Sequence, residues 1–352
     1  MTLDKDSLLN ETSDQLFSKT KKVLEKEGQR GWTLAQKTML KEDTKIKELH
    51  EAMHHIMLVS PADYFRPALL SLCSKAVGGT SDITLPSGAS LVLFARAIGI
   101  HDDIIDQSRT KDNRTTVLGK FGKDVALILT DILLFKGFTL LRKSLELGVP
   151  KEKIVAILDV IEKVWFEQSE GGILEIQARG QSTVAPHECL TKIEMIASEM
   201  EAIARIGGIL GGGSAQKVDL LGKYGRLLCT ASILRNELID MLDLPTLKHR
   251  IRKESLPLPL VYAIQKPEYK PKLVQLISRK RLTKEALQEI SEVSEEAGGI
   301  KYVADVIKGK VGQAYDLIAP FQDTEAYPPL KLFIIALLIK PKELKPNLQE
   351  TN

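Results

Sequence analysis

The sequence predicts an all-α protein, a large helical bundle forming one domain over 1–352 with short polar termini at about 1–14 and 341–352. Three observations lead there. Long segments carry apolar residues at helical spacing. Aliphatic side chains dominate while aromatics make up only 5% of the chain, which fits helix packing better than sheet. By length alone 352 residues could hold two domains, yet no Pro/Gly/Ser-rich linker or break in composition divides them.

In chain order, helical periodicity covers 12–27, 88–106, 122–147, 151–178, 188–210 and 216–243. The second of these is mostly apolar from Ser90 to Ile100 and then turns abruptly acidic. The fifth closes on Gly207-Gly208 and Gly211-Gly212-Gly213. No strand precedes these glycines and no GK[ST] follows, so they read as close helix packing followed by a helix break, not as a phosphate loop. Pro257 and Pro259 mark a rigid connection into a helix beginning near Leu260. Leu330 to Ile339 is apolar but too short to span a bilayer, and reads as a core helix or part of a dimer face.

Charge excludes some classes of function. Lys and Arg number 49 against 46 Asp and Glu, a formal net charge of +3, and the two signs are interspersed. That pattern carries no nucleic-acid footprint. Met1 to Ser18 is polar and charged, lacking the apolar core of a signal peptide, and no segment approaches the roughly eighteen apolar residues of a membrane span. A cytoplasmic protein without a transmembrane segment is expected. Cys73, Cys189 and Cys229 are widely spaced with no CxxC, and read as reduced structural residues. His54 and His55 read as ordinary surface or interface residues.

The most informative run is Gly99-Ile100-His101-Asp102-Asp103-Ile104-Ile105-Asp106. On a helix, Asp102 and Asp106 stand one turn apart on one face, with Asp103 beside them. Three carboxylates there repel one another, and taking them out of water is costly without compensating charge. A hard cation such as Mg²⁺, which takes oxygen ligands and bridges to substrate phosphates, removes the conflict. The run therefore reads as a metal and diphosphate site, against the plainer reading of a solvated acidic helix end. His101 abuts the aspartates, where a structural hydrogen bond or the orientation of Asp102 suits it better than ligation of an oxygen-preferring ion.

The surroundings of this cluster resemble the trans-polyprenyl diphosphate synthase family of isoprenoid synthases, whose members carry a DDxxD motif. Thr115-Thr116-Val117, Phe121-Gly122-Lys123-Asp124 and Thr130-Asp131-Ile132-Leu133-Leu134 look like its PTV, FG and GDxLL signatures, in order. Upstream, Phe65-Arg66-Pro67-Ala68-Leu69 looks like the end of its GKRLRP motif, followed by Ala76-Val77-Gly78-Gly79. Downstream, Glu170-Gly171-Gly172-Ile173-Leu174-Glu175-Ile176 resembles EGEILQL and Gly298-Gly299-Ile300-Lys301-Tyr302-Val303 resembles GGIEYAR. The resemblance runs over about residues 15 to 340 and implies the isoprenoid synthase fold, helices around a central cavity, and a dimer whose partner is a second copy or a homologous subunit. It also implies prenyl transfer from an allylic diphosphate, with Mg²⁺ held between two acidic helices and Asp102, Asp103 and Asp106 as catalytic ligands. Asp131 would be a residue at a helix start, either supporting the site from a distance or serving as a structural cap.

The second acidic helix is implied at Asn236-Glu237-Leu238-Ile239-Asp240. The spacing of DDxxD survives there, but Asn236 is neutral and Glu237 is one methylene longer, leaving Asp240 the safest ligand of that half. Departures are larger where the family binds its second substrate, isopentenyl diphosphate. Asp63 stands in place of a lysine and Tyr64 in place of an arginine, leaving only Arg66. The paired arginines after the first motif align with Lys111 and Asp112, with Arg109 and Arg114 nearby. The family's KT pair aligns with Ile196-Ala197, and Lys253-Glu254-Ser255-Leu256-Pro257-Leu258-Pro259 looks like EGKxTLP without its lysine. Several cations that would hold two diphosphates are missing together.

Three functions stay open on these residues. A divergent prenyl diphosphate synthase would use Arg66, Lys111, Arg114 and Lys253 as substitute phosphate contacts. A class I terpene synthase-like enzyme would ionise a single prenyl diphosphate, which needs the metals but not the second diphosphate site. A noncatalytic subunit of a heteromeric synthase would explain the lost cations, but gives no reason to retain the aspartates. By the same resemblance Phe94, Ala97 and Ile98 would line the product tunnel, with Ala97 leaving room for a chain of about twenty carbons or longer; core packing accounts equally for a small residue there.

Overall fold

Thr12 opens the first helix: its hydroxyl accepts from the Gln15 amide, and the Gln15 side chain accepts from the Thr12 amide. That reciprocal cap satisfies two backbone donors that the helix itself cannot. The chain, seen in a computed structural model that describes residues 12–111 and 114–338, continues almost entirely as helices. They are α1 (Ser13–Leu40), α2 (Lys47–His54), α3 (Phe65–Lys75), α4 (Ser81–Ile105), α5 (Val117–Arg142), α6 (Lys151–Ala178), α7 (Pro186–Ile196), α8 (Ser198–Leu210), α9 (Ala215–Leu242), α10 (Leu244–Lys253), α11 (Leu258–Ile264), α12 (Lys270–Ile277), α13 (Lys284–Glu296), α14 (Gly299–Ile318) and α15 (Tyr327–Ala336). Between α4 and α5 lies a small antiparallel hairpin, β1 (Thr110–Lys111) and β2 (Arg114–Thr115), which pairs Thr110 with Thr115 and Lys111 with Arg114.

α4 is the centre of the bundle, packed on α5, α1 and α3. By length and composition it could cross a membrane, which overturns the expectation that no segment approached that length. Most of the apolar window is buried inside the protein. A helix covered on all sides has no need of a polar face, so a core helix and a membrane span read alike in sequence. Trp32, Met39, Val92, Leu93, Leu129 and Leu133 form one apolar cluster among α1, α2, α4 and α5. A larger cluster joins α3 and the Phe94 side of α4 to the helices from α6 onward.

Three glycines show why the packing needs this sequence. A Cβ on Gly137 would sit 2.4 Å from the Phe94 ring, so α5 closes on α4 only with glycine there. Gly122, the glycine of the FG-like pair, has φ +81° and makes a left-handed kink inside α5 that re-aims the helix. The segment read as one helix over 188–210 is two, meeting at Ala197. α8 then lies so close to α3 that a Cβ on Gly207 would be 2.5 Å from the Leu70 carbonyl oxygen. This agrees with the close-packing reading of the glycine run.

Other local expectations change. His55 is buried, its Nε2 2.8 Å from the Thr115 carbonyl, and its ring meets Phe121 edge-on, so it is a core residue. Asp131 sits exposed in the middle of α5 and caps nothing. The cysteines are free, and burial pushes their thiols up, that of Cys189 to about 11. α15 packs Leu330, Phe333 and Ile334 into the core. Fully buried Tyr224 on α9 donates to the Leu330 carbonyl at 2.9 Å, tying α15 down. Tyr224→Phe removes that bond, and should cost about 0.5–1.5 kcal/mol in urea unfolding.

Candidate active site

The aspartates stand at the C-terminal end of α4, where the last helical bonds run from the Asp106 amide to the Asp102 carbonyl at 2.8 Å and from the Ser108 amide to the Asp103 carbonyl at 2.8 Å. Helix C-termini carry partial negative charge, so carboxylates gathered there are placed against the local field. Burial pushes the Asp102 and Asp103 carboxyls up to about 6 each, with neighbouring aspartates adding to the effect against the pull of Lys111. Asp103 Oδ1 is buried without a hydrogen-bond partner, and the nearest cation is Lys111 Nζ at 4.0 Å. Asp106 has a partner that sequence reading missed. Arg179, just past α6, donates to its carboxylate and, at 3.1 Å, to the Ile105 carbonyl.

A second acidic set lies on α9, α10 and the following loop. Glu237 is buried and Asn236 is exposed. The Arg250 guanidinium lies among the carboxylates, 2.6 Å from Asp240 Oδ2, 2.7 Å from Glu237 Oε1 and 3.0 Å from Glu254 Oε2. The other oxygen of Glu237 accepts from the Leu258 amide. Glu254 connects the two sets, pressing electrostatically on Asp102 from one side and on Asp240 from the other. Beside it, Lys192 is buried on α7 and bonds Glu175 and the Ser255 hydroxyl.

Each expected phosphate contact has a definite place. Arg66 has its guanidinium engaged on both edges: Nε and Nη2 reach Glu199 at 2.7 and 3.1 Å, and Nη1 reaches Asp63 at 2.8 Å. Lys111 is exposed on β1, and Arg114 stands opposite it on β2. Asp112 lies outside the described residues. Lys253 is exposed and donates to Gln107 at 2.9 Å. Phe94 and Ala97 are buried in separate apolar clusters, while Ile98 is half-buried. Among the described residues, no three His, Cys, Asp or Glu side chains form a group that could hold a metal ion as they stand.

Glu175 could have been suspected, since it lies in the EGEILQL-like segment. Arg179 and Glu199 carry no local signal, because their partners are 73 and 133 residues away and a charge in a helix reads as solvated; Arg250 has Glu254 four residues on, but its bonds to Glu237 and Asp240 span 13 and 10 residues.

The polyprenyl synthetase family matches residues 46–294, a span that contains both acidic helices. The chain belongs to that family. It is 30% identical over 199 residues to the geranylgeranyl diphosphate synthase of Methanosarcina mazei, a match covering 56% of this chain and 60% of that protein. It thus spans about 60% of the length of that curated relative. The fold is that of the geranylgeranyl pyrophosphate synthetase from Pyrococcus horikoshii, with TM-score 0.79 and 22% identity over 94% of this chain and 100% of the other. It is likewise similar to a polyprenyl synthase from Caulobacter crescentus solved with calcium and isoprenyl diphosphate, with TM-score 0.78 and 18% identity over 94% of this chain and 98% of that one. This chain ties several of its interior cations to its own carboxylates.

Proposed function

We propose that this chain is a divergent prenyltransferase acting on an allylic prenyl diphosphate, with the diphosphate met at the C-terminal end of α4. The observation that carries this reading is the buried, unpartnered Asp103 Oδ1 beside Asp102, at a helix end that itself disfavours negative charge. Such a group calls for a cation. The donors are carboxylate oxygens, the set Mg²⁺ takes, and Asp102, Asp103 and Asp106 would hold it. When bound, the ion would neutralise charge developing on the departing diphosphate. The chain's own groups do the rest. Arg179 fixes the rotamer of Asp106. The apolar face of α4 would keep water from the allylic cation, with half-buried Ile98 beside the prenyl chain, whereas Phe94 and Ala97 are taken up in core packing.

One observation favours a second reading. Arg66 already has two carboxylates on it, so a second diphosphate must displace Glu199 to use that guanidinium. Ionisation of a single diphosphate needs no such displacement. A product assay with Mg²⁺ and geranyl, farnesyl or geranylgeranyl diphosphate, with and without isopentenyl diphosphate, separates the two. Elongated diphosphate made only with isopentenyl diphosphate supports transfer; hydrocarbon or alcohol from the allylic substrate alone supports the second reading. No turnover in any mixture points to a noncatalytic subunit.

The working unit is proposed to be a dimer, of two copies or with a homologous subunit. Ile128, Phe135 and Phe138 leave an exposed apolar stripe on α5, and Val155, Leu158 and Phe166 leave another on α6. Buried Phe94 on α4 packs against Phe138 of α5 with the rings tilted and against Trp165 of α6 edge-on. Phe135, 76% exposed, touches little of its own chain. Phe135→Glu should halve the mass seen by light scattering while leaving the helical circular dichroism unchanged.

A further inference from the structure

The second acidic helix holds its carboxylates around a guanidinium that belongs to the chain. Arg250 bonds Asp240 Oδ2 and Glu237 Oε1 through its two Nη atoms, while its Nε faces Glu254 and the Ser255 carbonyl at 3.2 Å. The side chain is 12% exposed, and that of Glu237 is 7% exposed. Glu237 has no oxygen left over, because its second one takes the Leu258 amide. Asn236, the remaining position of the motif, is exposed.

A divalent ion on Glu237 and Asp240 would have to lie beside this positive group or expel it. Mg²⁺ demands close octahedral oxygens and dehydrates reluctantly. Arg250 cannot shed its charge, and leaving the pocket would strip three carboxylates of their partner at once. The residues at this half therefore do not fit a metal. We propose that Arg250 is a resident cation filling the cation site of the second acidic helix, so that divalent ions are held from the α4 aspartates alone. The inference rests on the reading that Asp103 serves a cation, and one experiment tests the two separately.

Mn²⁺ bound to the full-length protein in the presence of inorganic diphosphate is counted by electron paramagnetic resonance of the free ion. Asp103→Asn should weaken binding at least tenfold, whereas Asp240→Asn should leave both stoichiometry and affinity within twofold of the parent. Arg250→Met should gain a Mn²⁺ site that the parent lacks. A tenfold loss on Asp240→Asn overturns the inference, whatever Asp103→Asn does. A loss on neither variant removes the Asp103 reading and leaves Arg250 in possession of its own carboxylates. Should Arg250→Met fail to fold, the comparison of the parent with Asp240→Asn still decides.

Discussion

Asp103→Asn should lower turnover by about 10²–10³-fold, the scale expected when one preorganised group facing developing charge is removed. The amide keeps the shape of the side chain and removes its charge, so the loss reports on cation binding and not on packing. Stability should move the other way. Asp103 Oδ1 is buried without a hydrogen bond, with Lys111 Nζ 4.0 Å away, Asp102 and Asp106 adjacent and the negative end of α4 beneath it. Burial penalises this charge more than Lys111 offsets it, so removing the carboxylate relieves the metal-free protein, and its thermal midpoint in chelator should stay level or rise. Adding Mg²⁺ with diphosphate should raise the parent's midpoint and leave that of Asp103→Asn unmoved. A variant that loses both activity and metal-free stability would instead mark Asp103 as a structural residue.

The largest stability effect is expected at Arg250. Arg250→Met leaves Glu237, Asp240 and Glu254 facing one another in the interior, and breaking a buried ion pair from one side costs about 3–5 kcal/mol. The midpoint in urea should fall accordingly, measured in chelator so that no metal substitutes. Neutralising the partners as well, with Glu237→Gln and Asp240→Asn, should recover a large part of the loss, because the penalty lies in the unpaired carboxylates more than in the missing contact. No recovery would mean that the methionine itself fails to pack.

Much of the architecture was legible along the chain. Helix ends near 105, 178, 210 and 242 follow from local chemistry: an acid-rich terminus, loss of apolar spacing, and glycine breaks. The aspartates of α4 were legible too, because a spacing of i, i+1 and i+4 fixes a shared face whatever surrounds it. α4 shows the limit of that reading, since an apolar run long enough for a membrane becomes the bundle's central strut only through the helices that cover it. His55 was misread because its burial is set by Phe121 and Thr115, some sixty residues on.

Along the chain, local spacing was enough for the fold class and for the place of the acidic clusters. Only the tertiary structure decided how the remaining charges are used. It sets Glu199 and Asp63 on Arg66, Arg179 on Asp106, Lys192 on Glu175, and Arg250 among Glu237, Asp240 and Glu254. The reason is physical: helical periodicity is a local property, readable within a few turns. A buried charge is defined by whichever opposite charge the packing brings within hydrogen-bond reach, and no local pattern records that choice.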